Sequence, residues 1–143
     1  MKRLTRHIIG ILAFVAFQIS FGQERIITGK VIGQDLSEFP GVVIMTSDLK
    51  AIDTTDFNGN FEFKYSTDIH KIKLIFPMTQ EEEIEITENC NRIEIILLEE
   101  WIYDYVSLKR AERKKERDRK RTLPKLYGEA YEKGIFKDKK SCR

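Results

Sequence analysis

Apolar and polar residues alternate along most of the stretch from Arg25 to Leu98. The alternation is clearest in Phe61-Glu62-Phe63-Lys64-Tyr65 and recurs in Ile72-Lys73-Leu74-Ile75-Phe76 and Ile84-Glu85-Ile86. A period of two turns one face of a strand to a core and the other to water. The pattern predicts seven strands, near residues 25–33, 41–47, 50–55, 60–66, 70–77, 81–87 and 92–98. Turn residues separate them. Gly33-Gln34-Asp35 opens the first loop, Pro40-Gly41 closes it, and Glu88-Asn89-Cys90-Asn91 makes the last turn. Asp56-Phe57-Asn58-Gly59-Asn60 is the strongest turn, because Gly59 takes positive φ without steric cost. Short strands at this spacing predict an all-β fold, a sandwich or barrel, and the expected form is a seven-stranded antiparallel sandwich. The inward set is Ile27, Val31, Val42, Ile44, Phe61, Phe63, Ile72, Leu74, Phe76, Ile84, Ile86, Ile93, Ile95 and Leu97.

After Glu100 the period changes. Residues 101–121 contain no glycine or proline and predict a helix whose apolar positions end at Ala111. From Glu112 to Arg121 every face is charged, as in a helix that is solvated or bound to something else. Pro124 opens a second short pattern, with Leu126, Tyr127, Ala130 and Tyr131 on one helical face and Gly134 as the stop. The last seven residues read as disordered. Ile96 and Leu98 fall on the outward side of the last strand, and Ile75 on the outward side of its own. Such an aliphatic patch needs a cover. The nearest candidates are Trp101, Tyr105 and Leu108 on one helical face, widened by Ile102 and Val106. The expectation is that residues 101–108 cap the patch while the chain from Arg110 onward projects free.

The start of the chain reads differently. Lys2, Arg3 and Arg6 precede an apolar run from Ile8 to Phe17, and Ser20-Phe21-Gly22 places small residues where a signal peptidase reads. The run is short for a membrane span of ~30 Å. Residues 1–22 are therefore expected to be a signal peptide, with residues 23–100 a β domain and residues 101–143 a basic helical tail. Removal of the signal would lower the basic count from 25 to 22 against 23 acids. The remaining charge is segregated: residues 24–100 hold 7 basic and 16 acidic residues, and residues 101–143 hold 15 basic and 7 acidic ones. An acidic body with a basic tail signals interaction rather than fold.

Little catalytic chemistry is visible. Beyond the signal the only histidine is His70, and the two cysteines, Cys90 and Cys142, lie far apart. Zinc sites and nucleophile–base pairs need more than this. The cysteines leave a disulfide and two unpaired thiols both open. Asp53, Asp56 and Asn58 offer oxygens such as calcium takes, but they lack the order of an EF-hand loop, and a structural turn explains them. Glu81-Glu82-Glu83 and Glu85 read as an acidic strand rim.

Three segments carry a resemblance: Ile27-Thr28-Gly29-Lys30-Val31-Ile32, Phe39-Pro40-Gly41-Val42-Val43-Ile44, and Thr55-Asp56-Phe57-Asn58-Gly59-Asn60-Phe61-Glu62-Phe63. In order and spacing they are similar to the first strand, the proline-glycine entry to the second, and the aspartate-glycine turn before an aromatic strand of the carboxypeptidase regulatory-like domain. The resemblance covers roughly residues 25–98. It departs from the pattern at Leu36-Ser37-Glu38, in place of a glycine-containing loop, and at Ile52-Asp53, in place of a glycine-threonine pair. It implies a prealbumin-like sandwich, a non-catalytic role in structure or recognition, and no catalytic, cofactor or metal residues. It implies nothing about the tail.

Together these readings give the expected function. The chain would be a non-enzymatic module, periplasmic or secreted and associated with the outer membrane, whose basic tail docks an envelope protein or an anionic surface. Nucleic acid is not an expected partner, since export removes the chain from it. Two alternatives stand beside this reading: a carrier of a small apolar ligand, and an accessory subunit of an exported hydrolase.

Overall fold

The structure is a computed structural model that describes residues 25–100, 102–103 and 105–138. Seven strands form: β1 (Arg25–Gly33), β2 (Val43–Thr46), β3 (Ala51–Thr54), β4 (Asn60–Tyr65), β5 (Lys71–Ile75), β6 (Glu82–Glu85) and β7 (Arg92–Leu97). One helix follows, α1 (Leu108–Glu132). The strands make two sheets, β4-β1-β7 and β3-β2-β5-β6.

The sheets are not wholly antiparallel as expected. β1 and β7 run parallel, from Thr28 opposite Arg92 to Gly33 opposite Leu97. Hydrophobic alternation marks strand faces and carries no information on direction. A parallel neighbour needs a long crossover, and here the whole excursion from β2 to β6 supplies it.

One buried cluster joins the sheets. Ile27, Val31, Phe61, Phe63, Ile93, Ile95 and Leu97 come from the smaller sheet, and Ile44, Ile72, Leu74 and Ile84 from the larger. All the expected inward residues belong to this cluster; Phe76 is only partly buried against it, edge-on to Phe39. Cys90 joins them and is disulfide-bonded, while the chain's other cysteine, Cys142, lies outside the described residues.

The sheet edges are tied in two ways. Asp53 Oδ2 on β3 accepts the backbone N–H of Glu62 on β4 at 2.7 Å. At the other side, Gln80 N donates to the Leu98 carbonyl and Glu100 N to the Met78 carbonyl, each at 2.9 Å. The turn after β3 forms as expected, with Gly59 at φ 73°. In the first loop Leu36 takes φ 65°, and its side chain packs against a second cluster that offsets the strain.

That second cluster is where the sequence reading needs correction. Ile32, Ile96 and Leu98 do form an outward aliphatic patch, but Leu123, Tyr127, Ala130 and Phe136 cover it. Ile75 is half-buried and stands outside it. Residues 102, 103 and 105–107 are not helical; Ile102, Tyr105 and Leu108 are exposed, and Trp101 lies outside the described residues. The helix is also single where two were expected. Pro124 sits within α1 and removes one backbone donor, a change that costs about 3 kcal/mol. Leu123 and Tyr127 are buried on either side of it, and that packing outweighs the cost.

α1 ends at a glycine, as expected. Gly134 adopts φ 71°, Gly134 N donates to the Tyr131 carbonyl, and Ile135 N to the Ala130 carbonyl. This pair of bonds is a Schellman cap. It swings Phe136 back onto the patch, with its ring centroid 5.6 Å from that of Tyr127. The chain beyond is not disordered at its start. Lys137 N and Asp138 N donate to the Glu94 carboxylate on β7 at 2.9 and 3.1 Å. Residues 139–143 lie outside the described residues.

Candidate functional site

The carboxylates singled out in the sequence serve the backbone. Asp56 Oδ1 accepts the N–H groups of Asn58 and Asn60 at 2.9 and 2.7 Å. These bonds, Asn60's first, hold the Asp56 carboxyl below its ordinary pKa. Asp53 bonds Glu62 instead, so the two carboxylates do not converge. Among the described residues no three His, Cys, Asp or Glu side chains gather as a metal site requires. His70 is exposed at the end of the loop before β5.

The expected acidic rim separates by the side each residue faces. Glu83 and Glu85 bond Lys71 at 3.0 and 3.2 Å. The Lys71 bond holds Glu83 below its usual pKa, and Glu83 in turn raises Lys71. Glu82 faces the other way, is nearly buried, and pairs with Arg119 of α1.

That pair organises the basic helix. Lys115, Arg119, Leu123 and Tyr127 recur every four residues and form one row facing the strands. Lys115 Nζ reaches Glu100 at 3.0 Å, Arg119 reaches Glu82, and Leu123 and Tyr127 lie on the aliphatic patch. Tyr127 Oη also accepts the backbone N–H of Ile96 at 3.0 Å, covering part of the β7 edge. The chain from Arg110 onward is thus held along its length rather than projecting free.

The opposite face is left to solvent. Arg110, Arg113, Arg117 and Arg121 fall three and four residues apart and stand about 145° around from the docked row. All four are exposed, and among the described residues none is in an ion pair. They line one open groove with Val106 and Lys114. Lys114 Nζ lies 4.5 Å from the centroid of the Tyr103 ring, and Tyr103 Oη donates to Asp118 at 3.2 Å. Burial of Tyr103, with that bond, raises its pKa. The first turn of α1 contains no acid to offset the positive end of the helix dipole.

The sequence pointed to the basic segment but not to its two faces. The missed residues are Glu94 and Arg119, and Glu82 and Tyr127 were named only as a rim and a helical face, without their bonds to Arg119 and Ile96. A signal for two of them was present, since Lys115, Arg119, Leu123 and Tyr127 share one row that passes from charged to apolar. No family model and no curated protein matches the chain. No helix among the described residues is long and apolar enough to cross a membrane.

Proposed function

We propose that this protein is a non-enzymatic exported binding module. Its body is a β-sandwich of the carboxypeptidase regulatory-like type, and it attaches to an anionic partner or surface of the cell envelope through α1. The observation that carries the reading is the division of α1. One face is bonded to the body by Lys115, Arg119 and Tyr127, and the other presents four exposed arginines. A solvated charged helix needs no anchoring row, whereas a helix used for docking gains from being held rigid in a set orientation. The two sheets sharing one core, the positive φ of Gly59 and the entry at Pro40-Gly41 support the sandwich and the family resemblance. The signal-like composition of residues 1–22 supports export.

Cell fractionation tests this reading. The full chain should sediment with the envelope and be released by 1 M salt, where the screening length falls to ~3 Å. A variant with Arg110, Arg113, Arg117 and Arg121 all changed to Gln should stay in the soluble fraction. Wild-type protein found only in the soluble fraction, or envelope association indifferent to both salt and the four arginines, refutes it.

A further inference from the structure

Beyond α1 the chain is fastened to the body by packing and by hydrogen bonds. Phe136 is buried in the second cluster, and the Lys137 and Asp138 N–H groups donate to the Glu94 carboxylate on β7. Cys90, just before β7, is fully buried and disulfide-bonded, and Cys142 is the only other cysteine in the chain. Four residues lead from Asp138 to Cys142 and four from Glu94 back to Cys90. An extended chain of that length spans ~13 Å, so the last stretch is long enough to make the bond.

The two halves of that bond belong to different packing units. Cys90 is part of the cluster between the sheets, whereas the chain that leads to Cys142 departs from the cluster under α1. The two clusters share no residue. Lifting α1 breaks the bonds from Tyr127 to Ile96, Arg119 to Glu82 and Lys115 to Glu100, and it uncovers Ile32, Ile96 and Leu98. It leaves the packing of the first cluster in place. Units of this kind open on their own, at a free energy below that of global unfolding.

We infer that α1 with the chain up to Cys142 is a redox-latched cover of β7. Oxidised, the cover is held at both ends; reduction of Cys90–Cys142 by a dithiol leaves it tethered only through the end of β7 and free to lift. The inference concerns the opening of the fold and stands apart from the binding reading above.

A dithiol balances the chemistry. Cys90 is fully buried, so the attacking thiolate takes the Cys142 sulfur, and Cys90 leaves as a thiolate and is protonated. The second thiol of the reductant then displaces Cys142, which is protonated in turn. Two electrons and two protons pass to the protein, and the reductant becomes a disulfide. The bonds to Glu94 survive this exchange, so docking returns the chain end to β7 and the bond re-forms when an oxidised dithiol is present.

The latch works through chain entropy. While the bond is intact, a lifted cover is still a closed loop of roughly fifty residues and gains little freedom. Once it is cut, the same opening frees one end. On the chain-entropy account a loop of this length shifts the opening equilibrium by up to about a thousandfold.

Hydrogen exchange of the purified full-length protein, followed by NMR before and after dithiothreitol, tests the inference, with thiols counted by mass after alkylation. The reporter is the Ile96 amide, whose bond to Tyr127 Oη exists only while α1 is docked. The Val31 amide, bonded to Gly59, and the Thr55 amide, bonded to Val42, report on the sandwich. Reduction should speed exchange at Ile96 by about ten- to a thousandfold. That exchange should depend only weakly on low urea, while Val31 and Thr55 stay slower and exchange by the steeply urea-dependent global route. Cys142→Ser should exchange at Ile96 as the reduced protein does and should not respond to dithiothreitol. Ile96 protection unchanged after complete reduction overturns the inference. So does a reduced protein in which all three amides exchange together at every urea concentration, since the disulfide is then a staple of the whole fold. A cross-link that dithiothreitol cleaves only after denaturation, or a Cys90 that alkylates without reductant, overturns it too.

Discussion

Tyr127 Oη lies 3.0 Å from the backbone nitrogen of Ile96, and the N–H of that edge-strand residue donates to it. The bond joins residues 31 positions apart and sits beside the cluster of Leu123, Ala130 and Phe136 on Ile32, Ile96 and Leu98. It makes the basic helix part of the folded body. Tyr127→Phe keeps the ring and leaves the buried Ile96 N–H without this acceptor, which should cost about 1–3 kcal/mol. Truncation after Ala111 uncovers three aliphatic side chains at ~1.5–3 kcal/mol each. Denaturant titration should find the truncated chain unfolded or aggregated. A midpoint within error of the full chain would show that the helix is not docked.

Gly59 should not tolerate a side chain. Its φ of 73° lies in the left-handed region, and a Cβ built there collides with the Val31 carbonyl oxygen. Its own carbonyl accepts the Val31 N–H at 2.8 Å, so the turn cannot simply move away. Gly59→Val is expected to lower stability by about 2–4 kcal/mol through backbone strain and overpacking together. An unchanged urea midpoint would reject this geometry.

The turn should also titrate. The Asp56 carboxyl is held below its ordinary pKa by the Asn60 and Asn58 N–H groups. A carboxyl lowered on folding contributes stability that is complete above its unfolded pKa of about 3.9 and is lost as pH falls through the lower folded value. Unfolding midpoints measured from pH 7 to pH 2 should therefore fall below about pH 4, and fall less steeply in Asp56→Ala. Identical slopes in the two proteins would remove Asp56 from the acid sensitivity.

Cys90 is buried and disulfide-bonded, and the only other cysteine in the chain is Cys142. Lys137 and Asp138 bond to Glu94, which holds the last described residues beside β7. Non-reducing peptide mapping should recover a Cys90–Cys142 cross-link. Reduction should lower stability by as much as ~4 kcal/mol on the chain-entropy account of a loop this long. Free alkylation of Cys90 without reductant would contradict the bond.

Much of the fold follows from local order in the sequence. Strand positions, the turn at Gly59, the inward set and the helix stop at Gly134 all depend on side-chain period or on one residue's backbone freedom, which act over a few positions. The alternation was even right about Ile96 and Leu98 lying on the outward side of β7. What it could not say is that this side is covered: Glu94 ends with its side chain fully shielded, bonded to Arg92 Nε at 2.7 Å and to the chain end.

Tertiary structure alone decided the rest. The parallel pairing of β1 with β7 depends on where a long crossover returns, and hydrophobic alternation is the same for either direction. The cover of the patch came from Leu123, Tyr127, Ala130 and Phe136, not from Ile102, Tyr105, Val106 or Leu108 of the nearer stretch. Both segments are apolar enough, and proximity along the chain favours the wrong one. The choice turned on which stretch could bury its apolar row, bond the β7 edge and place Lys115 and Arg119 against Glu100 and Glu82 together. That choice also made Pro124 a tolerated interior residue, since packing on both sides of it exceeds the cost of one missing donor. Composition placed the basic charge in the tail, but only docking divided it into a bonded face and a free one, because a helix acquires an inside and an outside when something packs against it.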